Sequence, residues 1–322
     1  MAVLRNNQNG MALLLVLVII TLLTSLLMEL SYSTLVDQRL TETFRDSTKA
    51  YYLAKGGIAA GRMLLKADKN DYDSTDELWH TGIISYPVGQ GAVSVAITDL
   101  DGKLAINELV NGNNPQTVVV DRFYRLFSSL EIEHLANPAE LVAALIDWLD
   151  SGSQNYQLIQ TDNLDIPVSG AENDYYQGLA NGYSCKNGPL ESMDELLLIK
   201  GFSQEVVNIV APYLTVNGSN KININTASDK VLLSLSSQLD EQTIEVILER
   251  RQDGPIEKMT ELESLLTDEA YSILKSLANQ DLLGTESRYY RIDSEAMVND
   301  GRQRLVAEVD KKNNQLLFIR VE

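Results

Sequence analysis

The chain holds 322 residues, more than one domain of ordinary size, and carries 26 Lys plus Arg against 45 Asp plus Glu, a net charge of −19. That acidity argues against a nucleic-acid backbone as the main partner and favours cations. With one cysteine, Cys185, and two histidines, His80 and His134, the chain can build neither an internal disulfide nor a zinc site of sulfur and imidazole, so any metal site must be made of oxygen.

Residues 1–10 form a polar leader with one cation, Arg5, ending in Gly10. The run that follows, MALLLVLVIITLLTSLLM, is eighteen residues without a charge. Such a run reaches the length of a spanning helix, and no small-x-small cleavage site follows it. The reading is a transmembrane helix over residues 11–30, with the N-terminus cytoplasmic and the acidic remainder periplasmic.

The switch at Gly10–Met11 has the form of the site cut by prepilin peptidases, and the segment resembles a type IV pilin or pseudopilin. Two features depart from that pattern. Arg5 lies away from the cut, and Leu15 stands where most pilins have glutamate. The minor pseudopilin K of type II secretion is the class known to lack that carboxylate, so Leu15 sharpens the resemblance. A tip subunit has no neighbour whose amino terminus could pair with the glutamate, and an unpaired charge in the bilayer costs roughly 2.5–3.5 kcal/mol on insertion scales. The rival reading of Leu15 is an ordinary signal anchor.

From Leu30 to about Lys66 apolar residues recur among charges without a proline, the pattern of a helix with one sticky face. Joined to the span it would run roughly 80 Å at 1.5 Å per residue. Gly56, Gly57 and Gly61 weaken its end or let another element approach. Ala92–Thr98 alternates as a strand, and Asp101-Gly102 predicts a hairpin with a second strand over Lys103–Leu109. Helices are predicted over Gln116–Leu130, from Asn137-Pro138 to Asp150, and over Met193–Ile199, Gln204–Tyr213, Lys230–Ser236, Glu241–Arg251, Met259–Leu266 and Glu269–Leu277. Three strands close the chain at Tyr289–Val298, Gln303–Asp310 and Gln315–Val321. The fold class is therefore α+β: a pilin-like helix on an antiparallel sheet, residues 31–108 and 286–322, with an all-α domain, residues 109–285, inserted between sheet strands. The same plan characterises pseudopilin K.

The acidic stretch Ala144–Tyr176 concentrates the chemistry. Asp147 and Asp150 lie one helical turn apart, and a loop leads through Asp162 and Asp165 to Glu172-Asn173-Asp174. A hard cation such as Ca²⁺ would offset the repulsion. "DWLDS" and "AENDYY" resemble the calcium-holding segments of pseudopilin K, which implies Asp150, Asp165, Glu172 and Asp174 as ligands, with Asp147, Asn155, Asp162 and Asn173 as further candidates. The rival is a solvated acidic loop. No nucleophile motif, histidine partner or phosphate cradle accompanies these carboxylates, so no catalytic residue is assigned. ININTAS at 222–228 and Lys200-Gly201-Phe202 resemble pieces of helix-hairpin-helix DNA-binding proteins, the alternative reading, although the second glycine of that turn is missing. The resemblance as a whole implies a structural protein: a pseudopilus tip cap that helps assembly begin. Its expected partners are prepilin peptidase, minor pseudopilins I and J, other pseudopilins and the inner-membrane assembly platform, and its new amino terminus at Met11 is expected to be methylated.

Overall fold

The computed structural model describes residues 9–158 and 168–322. Helix α1, Asn9–Ala67, is continuous. Its first half is exposed on all sides, Met11 to Leu30 included, whereas from Asp46 onward one face is buried. Ala50, Ala54, Ile58 and Leu65 form that face at helical spacing.

Five strands receive it: β1 (Ile83–Val88), β2 (Gly91–Asp99), β3 (Tyr289–Val298), β4 (Gly301–Asp310) and β5 (Gln315–Val321). They lie in this order in one sheet, each antiparallel to its neighbour. Val93, Val95, Ile292, Ala296, Leu305 and Ala307 point at α1 and make a core with Ala54, Ile58 and Trp79. Two glycines set the distance between layers. A Cβ on Gly57 would collide with the Ser294 side chain, and one on Gly61 would come within 2.8 Å of Ile292 Cγ2.

Between β2 and β3 the chain leaves the sheet and builds a second, larger core. Its helices are α2 (Thr117–Ser129), α3 (Pro138–Leu149), α4 (Asn173–Gln177), α5 (Gln204–Val210), α6 (Asp229–Ser234), α7 (Glu241–Gln252) and α8 (Asp268–Asn279). Side-chain caps start several of them: Asn137, Ser203, Ser228, Asp240 and Thr267 each accept a backbone N–H of the first turn. Met193–Leu198 and Met259–Leu262, expected as α-helices, are short 3₁₀ segments.

The expected hairpin across Asp101-Gly102 does not form. Strand β2 turns back on β1, a strand the alternation did not announce, and residues 103–109 enter the second core instead. Leu104-Ala105 pairs in parallel with Leu214-Thr215, and Ile106–Leu109 is a 3₁₀ turn with Ile106 and Leu109 buried. The cause lies at the turn itself. The Asp101 carboxylate accepts from the backbones of Ser219, Arg288 and Tyr289, which holds Asp101 at the junction of insert and sheet rather than at a free loop tip.

The insert also reaches the sheet face turned away from α1, through Asn217 to Glu308 at 2.6 Å and Asp194 to Arg320 at 3.0 Å. Gly57→Leu is expected to cost ~1–3 kcal/mol through overpacking against Ser294. By contrast Gly56→Ala, whose Cβ meets nothing, should raise stability by about 1 kcal/mol as a helix glycine is removed. Denaturation midpoints of the full chain in detergent check both, and equal effects would contradict the packing.

Candidate functional site

Helix α3 is buried along almost its whole length, and in that apolar setting it carries Asp147 with no exposed surface. Asp150 caps its end, with Oδ1 accepting from Gly152 N at 2.7 Å. Trp148, the next residue, meets Tyr176 edge-on at 5.0 Å between ring centres, while Tyr176 meets Tyr183 at 5.5 Å. This aromatic stack pins α4 to α3 and so sets Glu172, the residue before α4, near the end of α3.

A two-residue pairing of Gln157-Leu158 with Val168-Ser169 brings both ends of the intervening segment to Asp147. Tyr156 N donates to Asp147 Oδ1 at 2.6 Å. Gly170 lies over the other oxygen so closely that any side chain there would strike Asp147 Oδ2. Asp162 and Asp165 lie outside the described residues.

Three buried oxygens here accept no hydrogen bond from the described residues: Asp147 Oδ2 and both Glu172 oxygens. A buried acceptor left bare costs about 1–3 kcal/mol, more when charged. Burial, followed by the neighbouring Glu172 and Asp150, pushes Asp147 up to about 7 against the donation from Tyr156. Burial, then Asp150 and Asp174, also raises Glu172. The other candidates differ. Asn173 Oδ1 already accepts from Cys185 N at 3.2 Å, Asn155 Nδ2 donates to Ser169 Oγ at 3.0 Å, and Asp174 is exposed. Cys185 is buried, and burial pushes its thiol up to about 11, which makes it inert.

These donors are of the class a hard cation takes, oxygen only and under-bonded at Asp147 Oδ2 and Glu172, but among the described residues no three of these carboxylates bring oxygens within 4.8 Å of one another. A second acidic group, which sequence reading missed, provides a contrast. Asp68, Asp73 and Glu77 bring carboxylate oxygens within 4.8 Å of one another. There the compensating charge is internal, because Lys311 Nζ lies 2.5 Å from Asp68 and 2.6 Å from Asp73. No local signal could have found it, since Lys311 is more than two hundred residues away in sequence.

The segments that resemble helix-hairpin-helix pieces serve internal bonding. Asn223 and Asn225 of ININTAS are buried, with Asn225 exchanging two hydrogen bonds with the Ile256 backbone. Ser228 caps α6, and Lys200 lies over the Tyr175 ring at 5.5 Å. Gly10, Met11 and Leu15 are exposed on α1.

An exposed apolar helix long enough to cross a membrane, continuing as the spine of an antiparallel sheet and joined to a helical insert, defines a pilin-like protein. Two family models described as "Type II secretion system (T2SS), protein K" match residues 102–219 and 222–280, together more than half of the chain. The chain belongs to the protein K family of type II secretion systems. It is 28% identical to the Type II secretion system protein K of Aeromonas hydrophila, over 98% of this chain and 96% of that one. Against the Pseudomonas aeruginosa protein of that name the figure is 26%, over 95% and 90%. Its fold is similar to a chain in the crystal structure of the GspK-GspI-GspJ complex from enterotoxigenic Escherichia coli, with a TM-score of 0.63 at 18% identity, covering 90% of this chain and 99% of that one.

A carboxyl group raised by burial binds its proton more tightly folded than unfolded. Its contribution to stability is therefore present at low pH and lost as pH rises from the ordinary value of 3.8 to about 7. With divalent cations chelated, the melting temperature should fall between pH 5 and pH 8 by roughly 2–4 °C for each kcal/mol lost. Asp147→Asn should flatten that fall, and an unaltered pH profile in the variant would show that Asp147 is not the group responsible.

Proposed function

We propose that the chain is a minor pseudopilin that caps the tip of the type II secretion pseudopilus and helps start its assembly. The observation that carries this reading is α1 itself: bare and apolar over its first turns, then packed on a sheet over its second half. Family membership supports it. The complex in which the similar fold occurs supports pseudopilins I and J as partners. A bulky insert suits a filament end, where it obstructs no subunit ahead.

On this reading prepilin peptidase cuts between Gly10 and Met11, the new amino terminus is methylated, the span lies in the inner membrane and the sheet and insert lie in the periplasm. Leu15 is tolerated because no neighbour's amino terminus stands ahead to pair with a glutamate. The acidic site takes Ca²⁺, with Asp150, Asp165, Glu172 and Asp174 as preferred ligands and Asp147, Asn155, Asp162 and Asn173 as further candidates. The under-bonded oxygens of Asp147 and Glu172 support a cation there. Such an ion compensates charge and ties the end of α3 to the start of α4. No step of chemistry is required of it.

Gly10→Ala should retain the ten leader residues and abolish secretion; normal processing of that variant would remove the cleavage assignment. Leu15→Glu should assemble no better than the parent, because it leaves a carboxylate unpaired in an apolar setting, while Leu15→Ile should be nearly silent. Improved assembly with Leu15→Glu would contradict the tip position. Calcium at a hundredfold its dissociation constant should stabilise the fold by about 2.7 kcal/mol. Absence of both a binding heat and a melting shift at millimolar calcium would eliminate the site.

A further inference from the structure

The two edges of the five-stranded sheet are built differently. At one, β1 is blunted: Ser85 has a φ of 48°, Pro87 has no N–H to offer, and the register with β2 shifts between Ile83 and Tyr86. At the other, β5 pairs with β4 alone and reads QLLFIRV, without proline and with a single charge. Folded proteins seldom leave such an edge bare, because its unpaired N–H and C=O groups invite another strand.

The ladder fixes which groups of β5 stand free. Glu322 N donates to Arg304 O at 2.8 Å, so these two residues form a hydrogen-bonded pair, and Val321 opposite Leu305 and Ile319 opposite Ala307 fall at the alternate, non-bonded positions. The N–H and C=O of Ile319 and Val321 therefore point away from β4. Their side chains share the face of Leu305 and Ala307, the α1 side, yet α1 packs mainly on β2, β3 and β4. Leu316, Ile319 and Val321 are left 39%, 43% and 52% exposed, whereas Val309, Ala307 and Leu305 opposite them on β4 are buried. The core thus continues sideways into an apolar row beside free backbone groups. The two ends of β5 also differ in charge. At its end, Arg304 and Arg320 are paired with Asp293, Asp194 and Glu322. At its start, Lys312 is exposed and forms no ion pair among the described residues, and Arg62 reaches the same turn but bonds only Asn314.

We propose that β5 is completed by an extended segment of another protein, added antiparallel as a sixth strand, with aliphatic side chains at every second position and Asp or Glu at its C-terminal end. The free backbone groups select a strand over a helix, the row of Leu316, Ile319 and Val321 selects aliphatic neighbours, and Lys312 and Arg62 select the acidic end. A second copy of this chain is not that segment. Antiparallel pairing of β5 with itself requires a two-fold axis normal to the sheet, which reverses α1, whereas two copies anchored in one membrane point the same way. That exclusion, and so the proposal, rests on the pseudopilin reading with its inner-membrane span.

The test uses the full chain expressed with pseudopilins I and J in a secreting host, with a photocrosslinking phenylalanine derivative in place of Leu317. The expected product joins position 317 to a segment of another protein in which aliphatic residues alternate and an Asp or Glu follows, mapped by mass spectrometry. Ile319→Pro removes an outward N–H and no ladder bond. It should keep the melting temperature and reduce that product about tenfold, equivalent to about 1.4 kcal/mol, while Ile319→Val should preserve it. Lys312→Glu, which leaves the strand intact, should reduce the product even if the proline variant melts early. A crosslink to phospholipid, to a helix or to a second copy, no crosslink at all, or a yield that survives Lys312→Glu or Ile319→Pro overturns the proposal. If I and J co-purify in such a case, the pseudopilin reading stands. Failure of the unmodified chain to co-purify with I and J overturns that reading, and the proposal with it.

Discussion

The architecture depends on one buried polar joint where the insert meets the end of the sheet. The Asn223 side-chain amide, with no exposed surface, donates to the Asp73 carbonyl at 2.9 Å, to Asp99 Oδ2 at 3.2 Å and to Ser287 Oγ at 2.7 Å. Its oxygen accepts from Asn225 N. Asp99 gathers further donors from Ser287, Thr226 and the Asp101 backbone, and Asp101 binds the backbones on either side of the return to β3. Burial and the adjacent Asp101 push Asp99 up to about 7, so this joint tolerates a carboxylate only because so many donors converge on it. Breaking one member leaves others bare in a low-dielectric interior. The joint thereby fixes the two cores to each other, which neither core's apolar packing could do alone.

Two acidic clusters in the chain follow the same electrostatic rule and reach different ends. Asp68 and Asp73 are brought together by folding, and folding also supplies Lys311, held 5.7 Å from the Tyr290 ring centre as well. The pair lowers Asp68 and raises Lys311 despite burial, the signature of an ammonium compensating carboxylates. At Asp147 and Glu172 burial, helped by repulsion from neighbouring carboxylates, dominates instead, and both are raised. The first arrangement is complete in itself. The second has carboxylates with no compensating cation among the described residues, and burial raises them instead.

Helix α1 serves two environments with one continuous backbone. Its first half satisfies its polar groups internally and exposes apolar side chains on every side, as a lipid-facing segment requires. Its second half is amphipathic, with alanines and two glycines against the sheet and lysines outward. Gly57 and Gly61 are dictated by close approach to β2 and β3. Gly56, one residue earlier, has no such internal reason, since a Cβ there meets nothing within 4 Å.

Sequence by itself determined the elements whose signals are local. The uncharged run from Met11, the alternating strands near the C-terminus and the capped helices, such as the one opened by Asn137-Pro138, follow from hydropathy period and cap chemistry acting within one turn or two. It also exposed the acidic residues of the candidate site, because composition and spacing are visible without a fold. Tertiary structure alone decided the rest. Strand β1, with Pro87 and a left-handed Ser85, is short, mostly exposed and irregular, so alternation could not reveal it. Residues 103–109 read as half of a hairpin until contacts more than a hundred residues away, from Ser219, Arg288 and Tyr289 to Asp101, directed them elsewhere. In the acidic site, sequence could not tell that Asp150, Asn173 and one oxygen of Asp147 are engaged by backbone N–H groups while Asp147 Oδ2 and both Glu172 oxygens accept none among the described residues. Which oxygen is satisfied depends on where distant backbone donors come to rest, and only the packed chain fixes that.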